Sequence, residues 1–343
     1  MKKRPTLIII LLIVTISVLF SLFLGPKDKD TLITVDEIQT VRIALSSAFI
    51  TAPVLVARQL NYFAEEGIDL VVIGDYGSGR DALNKMLDGG ADISTVATTP
   101  VVLNSFSRDD NSIFVTYTTT YEGIKVIART DKGISSPLDL RDKRIAVVEG
   151  TISELLMDSL LAYSKIPLSD VSLVYLTSEE MIDALINDEI DAISIWEPYA
   201  NNALTVLKDK GVKIPTSKVY RIAVNLAVMN DFARDYPDSL VKIVRALSKA
   251  VAYMNGNKEE AMLLISEILD LDIRLVEKNW DEASFNLSLD QLLLITMENE
   301  ASWAIDNVDI LEKKSIPDYL NYIYFSALSE VDPDAVSIIR EKQ

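Results

Sequence analysis

The chain has no cysteine and no histidine among its 343 residues. That removes disulfides, thiol nucleophiles, iron–sulfur ligation and thiolate or imidazole zinc sites. It also removes histidine-based triads and the usual proton shuttle of neutral pH. An enzyme is therefore not expected, although carboxylate or lysine chemistry stays open. Basic residues are in the minority: 33 Lys and Arg face 51 Asp and Glu, a formal net charge of −18. Nucleic-acid binding needs the opposite balance. The charged fraction of 24% is ordinary, so the acidity reads as a solubilising surface. No D-x-D-x-D-G calcium loop, no G-x-x-x-x-G-K-[ST] and no G-x-G-x-x-G occurs, and Gly77-x-Gly79 alone is not a dinucleotide fingerprint. No cofactor and no metal is expected.

One uncharged run of twenty residues, Thr6 to Gly25, follows Lys2, Lys3 and Arg4. At 1.5 Å per residue it would span about 30 Å, enough to cross the hydrocarbon core. It ends in S-L-F-L-G-P rather than an A-x-A-like cleavage site. Residues 1–26 therefore read as a signal anchor, with a cleaved signal peptide as the alternative. The basic residues would stay inside and place the body outside the membrane. Residues 27–40 read as a linker.

Residues 41–97 and 144–195 repeat one pattern. The first has V-R-I-A-L, a helix with Pro53, D-L-V-V-I, then D-A-L-N-K-M-L-D-G-G-A-D-I-S. The second has R-I-A-V-V, a helix after Thr151, V-S-L-V-Y-L, then D-A-L-I-N-D-E-I-D-A-I-S. Each predicts strand, helix, strand, helix, strand, with the last strand entered through an Asp, Asp92 or Asp191. Two such halves predict an α/β protein of two lobes with a cleft between them, where small molecules bind.

Around these halves, Ile113–Thr119, Ile124–Ala128 and Tyr220–Met229 read as strands. Thr51 reads as a helix cap, and Gly211 as the end of the helix after Trp196. Thr151-x-x-Glu154 and Thr177-x-x-Glu180 read as capping boxes, and Ser288-x-x-Gln291 as another helix start. Beyond Pro237 the pattern is helical, with Leu240, Val241, Val244, Leu247, Val251 and Met254 on one face. Crossings near 128–131 and 218–222 would give lobe 1 as 41–127 plus 222–343, which includes the C-terminal helices, and lobe 2 as 128–221.

In open α/β sheets, ligands sit beyond the carboxyl ends of the strands. Those ends carry Ser46 and Ser47, Gly77 and Ser78, Thr98 and Thr99, Gly150 and Thr151, and Trp196 and Glu197. Any one of these reads as an ordinary cap. Five ends converging on one cleft read as a binding site, because helix starts expose free N–H groups and a partial positive charge. Tyr121 and Glu122 end another strand and offer an aromatic–acid pair. Arg80, Lys125 and Arg221 are the cations nearest the cleft or hinge.

The run from Gly77 to Val96, the T-T-P turn at 98–100, the run from Ser135 to Thr151, V-Y-L at 174–176 and W-E-P-Y at 196–199 resemble the sulfonate/taurine/nitrate/thiamine-precursor family of ABC-transporter substrate-binding proteins. The resemblance covers about 41–255. It implies the type II periplasmic-binding fold, closing by a hinge on a small solute and delivering it to a membrane permease. It also implies solute contacts at Ser46, Ser47, Gly77, Ser78, Thr98, Thr99, Gly150, Thr151, Trp196 and Glu197. The expected protein is an extracytoplasmic monomer that binds no nucleic acid. A receptor feeding a membrane sensor is the alternative. The fold-related thiamine-pyrimidine synthases use histidine and a cysteine-rich motif, both absent here.

Overall fold

Both repeated halves form parallel units in the computed structural model, which describes residues 38–216, 220–308 and 315–340. In the first half, β1 (Gln39–Leu45) lies between β2 (Ile68–Asp75) and β3 (Ile93–Ala97). In the second, β6 (Arg144–Val147) lies between β7 (Ser172–Tyr175) and β8 (Ala192–Trp196). Four more strands extend the two sheets: β4 (Asn111–Thr120), β5 (Ile124–Arg129), β9 (Gly211–Ile214) and β10 (Ile222–Met229). With β11 (Ala283–Ser288) the orders are β2-β1-β3-β10-β4-β11 and β7-β6-β8-β5-β9. Each parallel trio is followed by an antiparallel strand that arrives from the other sheet, β10 beside β3 and β5 beside β8.

Helices of seven or more residues are numbered α1 (Ala52–Gln59), α2 (Gly79–Leu87), α3 (Thr98–Ser105), α4 (Ile152–Tyr163), α5 (Glu180–Ile186), α6 (Tyr199–Leu207), α7 (Pro237–Gly256), α8 (Lys258–Leu269), α9 (Ile273–Trp280) and α10 (Gln291–Asn307). On α7 the predicted apolar face is buried at Leu240, Val241, Val244, Leu247 and Met254, with Val251 half-buried. The membrane segment expected at 6–25 lies outside the described residues. Among the described residues no helix is long and apolar enough to cross a membrane.

The duplication extends to a charged pair. Asp92 accepts the Arg42 backbone N–H at 2.8 Å and its guanidinium at 2.6 and 3.2 Å. Asp191 accepts the Arg144 backbone N–H at 2.9 Å and its guanidinium at 2.8 and 3.2 Å. In both sheets the Asp before the third strand clamps the central strand. Asp191→Ala removes the acceptor for a backbone N–H and leaves the guanidinium without its main partner. A loss of about 1–3 kcal/mol is expected, read as a lower urea midpoint with unchanged slope.

Several local readings change. The chain crosses between sheets at 121–123, because β5 pairs in the second sheet; the hinge expected near 128–131 lies a few residues later. Gly211 does not simply end a helix; α6 stops at Leu207, and Gly211 opens β9. The stretch beyond Pro237 is not all helical. In β11, Phe285 is buried between exposed Ser284 and Asn286, the register shifts before buried Ser288, and Phe285 packs edge-on against Phe49 and Trp280. Thr51 does not cap α1. Its hydroxyl accepts the Ala48 N–H and faces the carbonyls of Ser46 and Ala48, closing a 3-10 turn over 49–51. The start of α10 is capped by Asp290, which accepts the Leu293 N–H at 2.9 Å, rather than by Ser288.

Candidate functional site

The cleft between the sheets is built from helix starts. A cavity of about 40 Å³ is lined by Ser46 and Ala48 after β1, Ile50 and Thr51 in the 3-10 turn, Gly79 and Arg80 at the start of α2, and Thr95–Ala97 at the end of β3. Pro100 of α3, Thr151 and Ile152 at the start of α4, Trp196 of β8 and Val224 of β10 complete it. Three helix starts and a 3-10 turn thus face one space, and their free N–H groups suit an anion or an acceptor-rich group. Arg80 is the charged side chain in this lining. Most of the other lining is apolar, which suits a short hydrocarbon or ring.

The walls touch across the cleft. The Arg80 guanidinium donates to the Glu149 carbonyl at 2.5 Å and to its carboxylate at 3.1 Å. Gly150 has φ +65°, and a Cβ there would lie 3.2 Å from the Arg80 guanidinium carbon. Left-handed backbone and close approach both select glycine here. The Ser178 hydroxyl donates to the Gly77 carbonyl at 3.1 Å. At Gly77 a Cβ would collide with the Glu179 carboxylate, at 2.3 Å. Farther along, Lys125 on β5 pairs with Glu282 ahead of β11, and Lys213 on β9 lies 3.1 Å from Glu122 and 3.8 Å from Glu282. Burial pulls the Lys125 ammonium down, against the hydrogen bond that it donates to Glu282. These contacts join the two sheets in a closed arrangement.

A second, smaller cavity of about 10 Å³ shares Ile50 and Trp196 with the first. Its lining includes Glu122, Glu197, Asn279 and Glu282. Glu197 is 8% exposed. Its carboxylate accepts the Asn201 N–H at 2.9 Å, its one hydrogen bond among the described residues. Burial raises its proton affinity, as a carboxylate without an ion pair requires.

The other candidates are distributed as follows. Ser46, Thr151 and Trp196 line the first cavity; Glu122, Glu197 and again Trp196 line the second. Gly150 and Ser78 border outer grooves at the cleft mouth. Ser78 caps α2, accepting the Asp81 N–H and donating to its carboxylate. The Ser47 N–H donates to Asp75. Tyr121 is 43% exposed and lines neither cavity. The hydroxyls of Thr98 and Thr99 turn away from the cavity and donate to Glu300 at 2.7 and 3.0 Å. The Thr151 hydroxyl donates to the Val148 carbonyl and accepts the Ser153 N–H. Of the three cations, Arg80 lines the first cavity, Lys125 sits in the Glu282 cluster, and Arg221 pairs with Asp290 at 2.8 Å. Sequence reasoning missed Thr95, Ile50 and Val224. Thr95 is buried on β3 and accepts the Ser46 N–H at 2.9 Å; its place at a carboxyl end was the available signal.

Two sheets of matching order, linked by two crossings and closed over a cleft, define an α/β fold of the periplasmic-binding-protein kind. The chain belongs to the NMT1/THI5-like family, whose model matches residues 49–261. A protein of Bacillus subtilis (strain 168) named for binding aliphatic sulfonates is 27% identical over 252 residues, 70% of this chain and 73% of that one. The alkanesulfonate-binding protein SsuA of Xanthomonas axonopodis pv. citri, solved bound to MOPS, superposes with a TM-score of 0.71 at 15% identity, covering 84% of this chain and 99% of that chain. The desulfurization enzyme DSZB superposes at 0.62 and 15% identity, over 85% and 98% of the two chains. At such identities the structural likeness establishes the fold alone, and the fold carries binders and an enzyme alike.

Proposed function

We propose that the chain is the extracytoplasmic solute-binding component of an ABC importer. Its solute is a small organic anion of the sulfonate class, held between two lobes that close by a hinge and present it to a permease. The observation that carries this reading is the first cavity: helix starts and Arg80 around an otherwise mainly apolar space. The sulfonate name of the Bacillus subtilis relative supports the same class. The contact residues proposed are Ser46, Thr95 and Arg80 with the helix starts at Thr98 and Thr99, facing Gly150, Thr151 and Trp196. Glu197 beyond Trp196 favours a solute whose far end donates hydrogen bonds. The absence of cysteine and histidine favours binding without turnover.

The test is thermal unfolding of the purified chain with ethanesulfonate, 2-aminoethanesulfonate, MOPS, nitrate and an aminopyrimidine. A solute that binds only the folded state stabilises it by about 2.7 kcal/mol at a hundredfold excess over Kd. At least one sulfonate is expected to raise the midpoint by several degrees. Stabilisation by nitrate or the pyrimidine alone would overturn the solute class, and conversion of a stabilising solute would overturn the binding-only reading.

A further inference from the structure

Helix α10 follows residue 261, where the family match ends, yet it touches both walls of the cleft. Glu300 on α10 is fully buried. One of its oxygens accepts three hydroxyls: Thr98 at 2.7 Å, Thr99 at 3.0 Å and Tyr220 at 2.8 Å. Thr98 and Thr99 begin α3, between the cavity residues Ala97 and Pro100. Tyr220 stands where the chain returns to the first sheet, two residues ahead of β10, which supplies Val224 to the cavity. One carboxyl group therefore ties the first wall to the return crossing. One turn further along α10, the half-buried Trp303 donates its indole N–H to Asp158 at 2.7 Å. Asp158 lies on α4, whose first turn forms the second wall through Thr151 and Ile152. Three residues apart on a helix, Glu300 and Trp303 project from neighbouring positions, and they reach opposite sides of the cleft.

We propose that α10 straps the cleft shut, with Glu300 and Trp303 as positioning residues for solute capture: Glu300 anchors the helix to the first wall and the hinge, and Trp303 engages Asp158 on the second wall when the lobes close. Neither side chain lines the first cavity. The strap biases closure rather than contacting solute, and its contribution exists before any solute arrives. A ligand shifts an equilibrium only by its differential affinity for the two states; a strap bond present only in the closed state adds to that shift. The inference rests on the two-lobe closure of the proposed function, but not on the identity of the solute.

The absence of cysteine makes the test direct. Tyr163→Cys on the second lobe and Leu263→Cys on the first, both exposed positions, take nitroxide labels in the full chain. Lobe-to-lobe distances are measured with and without ethanesulfonate. Trp303→Phe keeps the ring and removes the N–H. The closed-to-open ratio without solute is expected to fall about tenfold, the value of one hydrogen bond to a charged acceptor. The thermal midpoint should barely move, whereas a merely structural role would lower the midpoint and leave the ratio alone. If Trp303→Phe does not fold, Asp158→Ala removes the same bond from the other end. Distance distributions identical to the parent, with and without ethanesulfonate, overturn the strap. A shift between variant and parent without any response of the parent to ethanesulfonate upholds the strap and excludes ethanesulfonate as the solute.

Discussion

Raising the pH from 4.5 to 7.5 is expected to destabilise the folded chain by about 3 kcal/mol relative to its Glu300→Gln variant. Burial pushes the Glu300 carboxyl up to about 7 from an ordinary 4.5, against the pull of the Thr98, Tyr220 and Thr99 hydroxyls. Glu300 has no ion pair among the described residues, and its second oxygen is buried without a hydrogen bond. A carboxylate so placed favours its neutral form. Because the folded-state value lies above the unfolded one, the folded state holds the proton more tightly through the interval between them. The stabilisation is fully present below about 4.5 and is lost as pH rises through about 7. At 1.36 kcal/mol per unit, 2.5 units give the stated size. Glutamine does not titrate, so the difference between the two denaturation curves isolates this group from Glu154 and Glu197, which burial also raises. The amide substitution adds a constant offset, and only the slope carries the test. Parallel stability profiles for parent and variant over pH 4.5–7.5 would show that Glu300 titrates normally.

The architecture was legible because its signals are short in range. Period-2 and period-3.6 patterns repeat in the same order in both halves, and Asp92 and Asp191 recur at the same point. Those two aspartates form the same bond with Arg42 and Arg144. The crossing was harder to read. Ile124–Ala128 declares a strand but not the sheet it joins, and that choice depends on its pairing with β8, about 70 residues away. β11 is six residues long within a long helical context and alternates only over Ser284–Asn286 before its register shifts between Phe285 and Ser288, so the longer helical period hid it.

The site was legible at the level of strand ends and not at the level of side-chain direction. Ser46, Thr151 and Trp196 stand on the cavity because carboxyl-end positions point there. Thr98 and Thr99 stand at the same kind of position, yet their hydroxyls face Glu300, some 200 residues later in the chain. No local pattern announces that partner. What Thr98 and Thr99 leave for a solute is the backbone of a helix start, which any residue could supply.

Trp196→Ala is expected to raise the Kd of a bound sulfonate about 30-fold or more. The indole borders both cavities and is 6% exposed in the closed arrangement. Large buried aromatics at the centre of a contact are the side chains whose truncation costs about 2 kcal/mol or more, which is the stated factor. Truncation of a buried Trp also destabilises the fold by about 3–5 kcal/mol. The two effects separate by measurement, since calorimetric titration at 15 °C reads affinity on protein shown by circular dichroism to be folded, and a denaturant midpoint reads stability. Trp196→Phe retains an aromatic face and is expected to recover most of the affinity and part of the stability. Small-angle scattering supplies the geometric arm. The parent should become more compact on binding, and Trp196→Ala should require a correspondingly higher concentration to do so. Normal affinity in Trp196→Ala, with a radius of gyration that does not change at saturation, would make Trp196 a core residue only. The solute would then lie elsewhere, because no ligand can fill the described cavity without meeting the indole that forms one of its sides.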